Sequence, residues 1–172
     1  MKNNNNRYKK FIFSAIIVLM ILTAFWLTWR NFHQPKTPTV WGELNQSVKQ
    51  NQKIFIPIFV NTEDKTINAL EVYLKFDPNE LRVESVSKDN SFFQLWIKDE
   101  PKFNNDKGEI SFAGGLPNPG FKGTGQIGSI EITPLKAGLL TISFDGRTRM
   151  LLNDGVGTES ALISQPIKIR VK

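Results

Sequence analysis

Residues 67–81 read INALEVYLKFDPNEL, and the first ten of them settle the class of fold. Apolar and polar side chains alternate there: Leu70, Val72, Leu74 and Phe76 fall on one side, Glu71, Tyr73 and Lys75 on the other. A period of two belongs to a strand with one buried face, not to a helix. Asp77, Pro78 and Asn79 then end the strand. The Pro78 ring presets φ for a turn, and the Asp77 and Asn79 side chains can bond the backbone beside them. Leu81 opens the next apolar run.

The same pattern extends on both sides. Residues 53–61 (KIFIPIFVN) place Ile54, Ile56, Ile58 and Val60 on one face and Phe55, Pro57 and Phe59 on the other. Pro57 has no N–H to give to a ladder, which predicts an edge strand or a bulge. Further strands are predicted at residues 81–86, 92–97, 109–113, 126–134, 139–144, 148–152, 160–163 and 166–171. Residues 104–108 (NNDKG) read as a hairpin turn, and 114–125 (GGLPNPGFKGTG) as a long irregular loop. No window after residue 40 holds a helical apolar period. Many short strands with Gly, Pro, Asn and Asp between them predict an all-β sandwich or jelly roll, with a closed barrel as the structural rival.

The amino end is different. Residues 11–29 are nineteen in a row without a charge, enough for a helix of about 28 Å, close to the hydrocarbon thickness of a bilayer. Lys2, Arg7, Lys9 and Lys10 precede the run, Arg30 and Lys36 follow it, and the first forty residues hold no acid. The positive-inside tendency then leaves the N-terminus in the cytoplasm and the large C-terminal part outside. Phe25, Trp26, Trp29 and Phe32 stand where an outer aromatic belt would lie. A cleaved secretory signal is the rival reading, but the run exceeds the usual 7–15 apolar residues and lacks a good small-x-small site. The expected organisation is a basic cytoplasmic tail (1–10, with the low-complexity tract Asn3 to Asn6), a transmembrane signal-anchor helix (11–29), a linker with two prolines (30–40) and a β-sandwich domain (41–172).

The net charge of +6 suggests nucleic acid until its distribution is read. Residues 1–30 hold five of the 22 basic residues and none of the 16 acids, so the outer domain carries 17 bases against 16 acids. A nucleic-acid binder needs its surplus on the binding domain, so that class is excluded. With no cysteine in the chain, disulfides, thiolate metal sites and cysteine nucleophiles are excluded too. The domain must rely on its core, and the composition fits a prokaryotic cell surface.

Several motifs carry possible chemistry. On the strand expected at 92–97, Phe93, Leu95 and Ile97 form a core face, while Phe92, Gln94 and Trp96 form a stripe able to stack on a sugar ring or anchor a partner if exposed. Phe121, in the Pro/Gly loop, is expected to be exposed. Gly123 and Gly125 lack the Lys-Ser/Thr of a phosphate loop. Asn153, Asp154 and Gly155 with Glu159 are too sparse for a dedicated calcium loop and read as a turn. Asp99 with Glu100, or Asp106 with Glu109, would be a chance pairing rather than a glycosidase dyad. His33 has no catalytic partner beside it. No enzyme, cofactor or metal is expected.

The residues that end the opening strand resemble the signature of cohesin domains, in which an aromatic-Asp-Pro-x-x-Leu turn links a strand pair: here Phe76, Asp77, Pro78 and Leu81. Residues 107–112 (KGEISF), 128–132 (GSIEI), 136–138 (KAG) before 141–144 (TISF), and 152–158 (LNDGVGT) resemble later segments of that family in order. The resemblance covers residues 40–172. It implies a nine-stranded jelly-roll sandwich related to carbohydrate-binding modules, and a function in docking dockerin modules to assemble polysaccharide-degrading complexes or tether enzymes at a surface. Dockerin-binding members present an Asn and, two residues on, an acid on the strand before the turn; the matching positions here hold Ala69 and Glu71. The expected function is therefore a membrane-anchored extracellular binding module, with Glu71, Tyr73 and Lys75 as the partner-binding residues. The alternatives are direct carbohydrate binding through Trp96, Phe121 and Tyr73, or a structural subunit of an envelope complex.

Overall fold

The computed structural model describes residues 4–32, 36–44 and 46–172; His33, Lys2 and Asn3 lie outside these. The chain divides into two units, residues 1–36 and 37–172. The first holds one helix, α1 (Asn4–Phe32). Its stretch from Lys9 to Arg30 is long and apolar enough to cross a membrane, and every side chain in that stretch is exposed. A helix apolar all round has no solvent-facing stripe. Two of its hydroxyls bond back to the helix backbone, Thr23 Oγ1 donating to the Met20 carbonyl at 2.9 Å and Thr28 Oγ1 to that of Phe25 at 2.8 Å. The Phe25 and Trp29 rings lie 6.0 Å apart, and the Arg30 guanidinium sits 5.6 Å over the Trp26 ring.

The described residues of the second unit form a sandwich of thirteen strands. In chain order these are β1 (Thr39–Gly42), β2 (Ile54–Asn61), β3 (Ile67–Lys75), β4 (Leu81–Ser87), β5 (Leu95–Trp96), β6 (Lys102–Asn104), β7 (Glu109–Gly115), β8 (Thr124–Pro134), β9 (Gly138–Phe144), β10 (Arg149–Leu152), β11 (Glu159–Ser160), β12 (Ile163–Ser164) and β13 (Ile167–Val171). One sheet has the order β12-β1-β2-β8-β4. The other runs β11-β10-β3-β7-β5, with β6 also on β7 and the β9–β13 ribbon on β3. The class is the one expected. The count exceeds nine because β5, β11 and β12 are two-residue pieces and β6 has only three residues.

The core follows from the alternation. Ile54, Ile56, Ile58 and Val60 of β2 and Leu70, Val72 and Leu74 of β3 are buried, in one cluster with Phe112 of β7 and Ile130 and Ile132 of β8. The Asp-Pro turn carries the chain from β3 in one sheet to β4 in the other. Asp77 Oδ1 accepts the Asn79 backbone N–H at 2.8 Å, and the Asp77 carbonyl accepts those of Glu80 and Leu81.

Several sequence expectations need correction. Pro57 is not on an edge strand, because β2 lies between β1 and β8. Its carbonyl accepts from Glu43, just past the last residue of β1. The N–H and C=O of one residue point the same way in an antiparallel ladder, so the missing donor faces the place where β1 has already ended. The other expectation, a bulge, is met beside it by the register shift against β8 between Ile58 and Phe59. The segment 92–97 is not one regular strand. Phe93 is buried, but Leu95 is 60% and Ile97 52% exposed rather than core, because a bend at Gln94 moves the alternation by one residue. The loop expected at 114–125 is shorter, with Gly114 and Gly115 ending β7 and Thr124 and Gly125 opening β8. Gly115 is required there, since a Cβ would collide with the Asn68 carbonyl. Residues 160–163 split between β11 and β12, which belong to different sheets.

Asp154 resolves as a turn. Its Oδ1 accepts the N–H groups of Val156, Gly157 and Thr158 at 3.1, 2.8 and 3.3 Å. The Thr158 side-chain hydroxyl foremost, and then these backbone bonds, hold its carboxyl down at about 2. A depressed carboxyl stabilises the fold above its unfolded value, and that contribution disappears as the pH falls toward the folded one. Asp154→Ala should therefore melt below wild type at pH 7, with the gap closing between pH 4 and pH 2; a pH series of thermal melts checks this. In the core, Phe112→Ala should cost about 3–5 kcal/mol in urea unfolding, whereas Phe55→Ala, at a side chain 64% exposed, should cost less than about 0.5 kcal/mol.

Candidate partner-docking face

With Leu70, Val72 and Leu74 turned inward, β3 presents Ala69, Glu71, Tyr73 and Lys75 on the outer side of the eight-stranded sheet. The register decides their neighbours. Glu71 lies opposite Arg149 of β10 and Ala113 of β7, Tyr73 opposite Ser111, and Lys75 opposite Glu109. Opposed unlike charges pair directly: Arg149 Nη2 reaches Glu71 Oε1 at 2.9 Å, and Lys75 Nζ reaches Glu109 Oε1 at 2.7 Å.

Tyr73 is the centre of this face. Its hydroxyl donates to Glu71 Oε2 at 3.4 Å, and the Arg147 guanidinium lies 4.7 Å over its ring. Arg147 is held in turn by Asp145 at 2.9 Å and by Glu109 at 3.5 Å. Burial, then the Glu71 carboxylate beside it, pushes the Tyr73 phenol above its ordinary value, with Arg147 pulling the other way. The bond from Lys75 holds Glu109 below the usual carboxylate range, and that from Arg147 does the same for Asp145. From the chain between β5 and β6, Glu100 places its buried carboxylate against Ser111 Oγ (2.8 and 2.9 Å) and Lys102 Nζ (3.0 Å). Every carboxylate named on this face is therefore matched to a cation or a hydroxyl, so it suits recognition better than proton transfer.

Beside the charged area runs an apolar groove of about 460 Å³, floored by Gly114 and Gly115 and bordered by Ala69, Glu71, Leu95, Trp96, Ile97 and Leu151. Asn68 lines it as well. Against β10 the register steps from Ala69 opposite Leu151 to Ile67 opposite Leu152, so Asn68 is an extra, bulged residue. Its Oδ1 is buried without a hydrogen-bond partner among the described residues.

Glu71, Tyr73 and Lys75 thus stand together. Trp96, Phe121 and Tyr73 do not form one site. Trp96 borders the groove but is half-buried, with the Phe93 ring 5.1 Å away and the Lys88 ammonium 5.1 Å over its face. Phe121 is half-buried, not exposed as expected. It stacks on Phe92 at 3.9 Å and 13°, over Gly125, where a Cβ would strike both rings. Tyr73 lines two neighbouring hollows of about 330 Å³ each, not the groove. Sequence reasoning missed Arg147, Arg149 and Ser111 and weighed Glu100 only as half of a chance carboxylate pair, because they become neighbours of β3 only once its register is known; Asn68 was legible only as the residue before Ala69.

Comparison with known proteins agrees with this architecture. A search of the curated proteins finds no match. Among solved structures, the chain is similar to the Clostridium thermocellum cohesin of the Coh-OlpC–Doc435 complex, with 14% identity over 81% of this chain and 99% of that one and a TM-score of 0.66. It is similar to the third cohesin of ScaC in complex with the ScaB dockerin, from Acetivibrio cellulolyticus, with 21% identity over 78% and 99% and a TM-score of 0.62. It is also similar to a non-cellulosomal cohesin from the archaeon Archaeoglobus fulgidus, with 16% identity over 80% and 92% and a TM-score of 0.58. The family model of the cohesin domain matches residues 44–169, the whole sandwich but its first strand and its last residues, and the chain belongs to the cohesin domain family.

Proposed function

We propose that this chain is a non-enzymatic docking module, anchored by α1 in a prokaryotic membrane with its N-terminus in the cytoplasm, which holds a dockerin-type protein module against the outer face of its eight-stranded sheet. Two of the similar structures are described as complexes with dockerins. The observation that carries the reading is the arrangement around β3: a pre-paired polar patch with Tyr73 at its centre lies beside an apolar groove. Interfaces combine these, an apolar seat flanked by polar groups whose pairs fix register. The amide absent at residue 69 is supplied in the groove by Asn68 through the bulge. The tethered partner would carry polysaccharide-active proteins to the surface.

Direct binding of sugar through Trp96 and Phe121 is less well supported, because those rings are occupied by Phe93, Lys88 and Phe92. The docking reading is tested by calorimetric titration of the full-length chain in detergent with a panel of dockerin modules. At least one should bind, and Tyr73→Ala should weaken it ten- to thirtyfold, the loss of a central aromatic anchor. An empty panel, or a Tyr73 variant that binds as wild type, overturns it. For the topology, carbonate washing should leave the chain in the membrane pellet, and protease added to intact cells should remove the sandwich; release into the soluble fraction counts against an anchor.

A further inference from the structure

The outer face of the five-stranded sheet is built differently. We infer that it is a second binding surface, for a polysaccharide chain without net charge. Because Ile54, Ile56, Ile58 and Val60 face the core, Phe55, Pro57 and Phe59 of β2 face outward. Trp41 of β1 lies opposite Phe59, the two rings 5.7 Å apart and within 25° of parallel. Phe55, 64% exposed, continues the row about 13 Å further along the strand. The neighbouring strands carry hydrogen-bonding groups. β8 sets Gln126, Ser129 and Glu131 opposite Phe59, Pro57 and Phe55, and β4 adds Arg82, Glu84 and Ser85 beyond them.

Charge and apolar area select the occupant. Glu84 is bonded to Arg82 Nη2 at 2.8 Å and Thr133 Oγ1 at 2.7 Å, and Glu131 lies 3.8 Å from Lys53 Nζ. Acids and bases balance, so the face draws neither an anion nor a cation. Anionic headgroups gain nothing from carboxylates placed on the same surface. A second copy laid sheet to sheet would have to bury Arg82, Glu84 and Glu131 under an apolar layer, and one row of rings does not provide the roughly 800 Å² a side of a stable interface. A pyranose chain fits both halves. Its C–H faces lie on aromatic rings, and its hydroxyls take donors and acceptors from β8 and β4.

The full-length chain, in a zwitterionic detergent, is sedimented with microcrystalline cellulose, chitin or insoluble β-mannan and the bound fraction measured. Retention on at least one is expected, with Phe55→Ala lowering it at least fivefold at unchanged melting temperature, and Tyr73→Ala leaving it unchanged. No retention on all three, or retention indifferent to Phe55→Ala, overturns the inference. Two further results reassign the face and overturn it equally. One is a shift in sedimentation from dimer to monomer in Phe55→Ala. The other is a blue shift of a dye on Phe55→Cys, a unique label in a cysteine-free chain, when detergent is exchanged for phosphatidylglycerol vesicles. Failure here leaves the docking reading intact, since that depends on Tyr73 on the other sheet.

Discussion

Burial of Leu70, Val72 and Leu74 in one cluster with Ile56, Ile130 and Ile132 is the constraint from which the rest of the sandwich follows. Six such side chains remove enough apolar surface from water to be worth roughly 1.5–3 kcal/mol each, more than any polar contact on the surface. Side chains alternate strictly along a strand, so this burial leaves Glu71, Tyr73 and Lys75 no choice but the outer side. Slippage of β3 by one residue would put three charged or phenolic groups into the core and three aliphatic ones into water. The orientation of these proposed docking residues is thus paid for by the core, not by their own contacts.

Those contacts have a different role. Exposed ion pairs contribute about 0–1 kcal/mol each, so the pairs Glu71–Arg149 and Lys75–Glu109 are weak as stabilisers. What they do is limit where side chains go. Arg147, bonded to both Asp145 and Glu109, holds its guanidinium over Tyr73, and Glu100, bonded to Ser111 and Lys102, closes the far side. A face ordered before its partner arrives loses less side-chain freedom on binding.

The parts of this structure that depend on local pattern were legible in the sequence, and the parts that depend on register were not. The core rows of β2 and β3 and the turn at Asp77-Pro78 could be read directly, because period and turn chemistry are local. The segment at 92–97 misled because Phe93 and Leu95 are two residues apart yet lie on different sides of a bend, which apolar content alone does not reveal. Pro57 marked an irregularity in the ladder but not an edge, because a proline is tolerated inside a sheet wherever the neighbouring strand has already stopped, a fact about β1 and not about β2. Arg149 lies 78 residues from Glu71 in the chain; its pairing exists only in the folded register. Even the departure at Ala69, a matter of one residue, needed the bulge opposite Leu151 and Leu152 to show that Asn68 reaches the groove.

The same alternation that orients one face orients the other, and the two sheets answer it with different chemistry. On the eight-stranded sheet the outward positions of β3 and its neighbours are mostly ionic and are compensated strand against strand. On the five-stranded sheet the outward positions of β1 and β2 include Trp41, Phe55 and Phe59 and no charged residue, while Glu131, Arg82 and Glu84 lie on β8 and β4. A soluble domain has little reason to keep Phe55 in water, since Phe55 contributes almost nothing to the core and exposes an apolar ring on a sheet surface. Nor does folding require Trp41 and Phe59 to stack on the outside, when a pair of threonines would suit the same strands. The core beneath therefore does not account for the row, which is why we propose a ligand for it. Because the intervening core is shared but neither set of outward side chains touches the other, the two proposed ligands would not compete for the same surface.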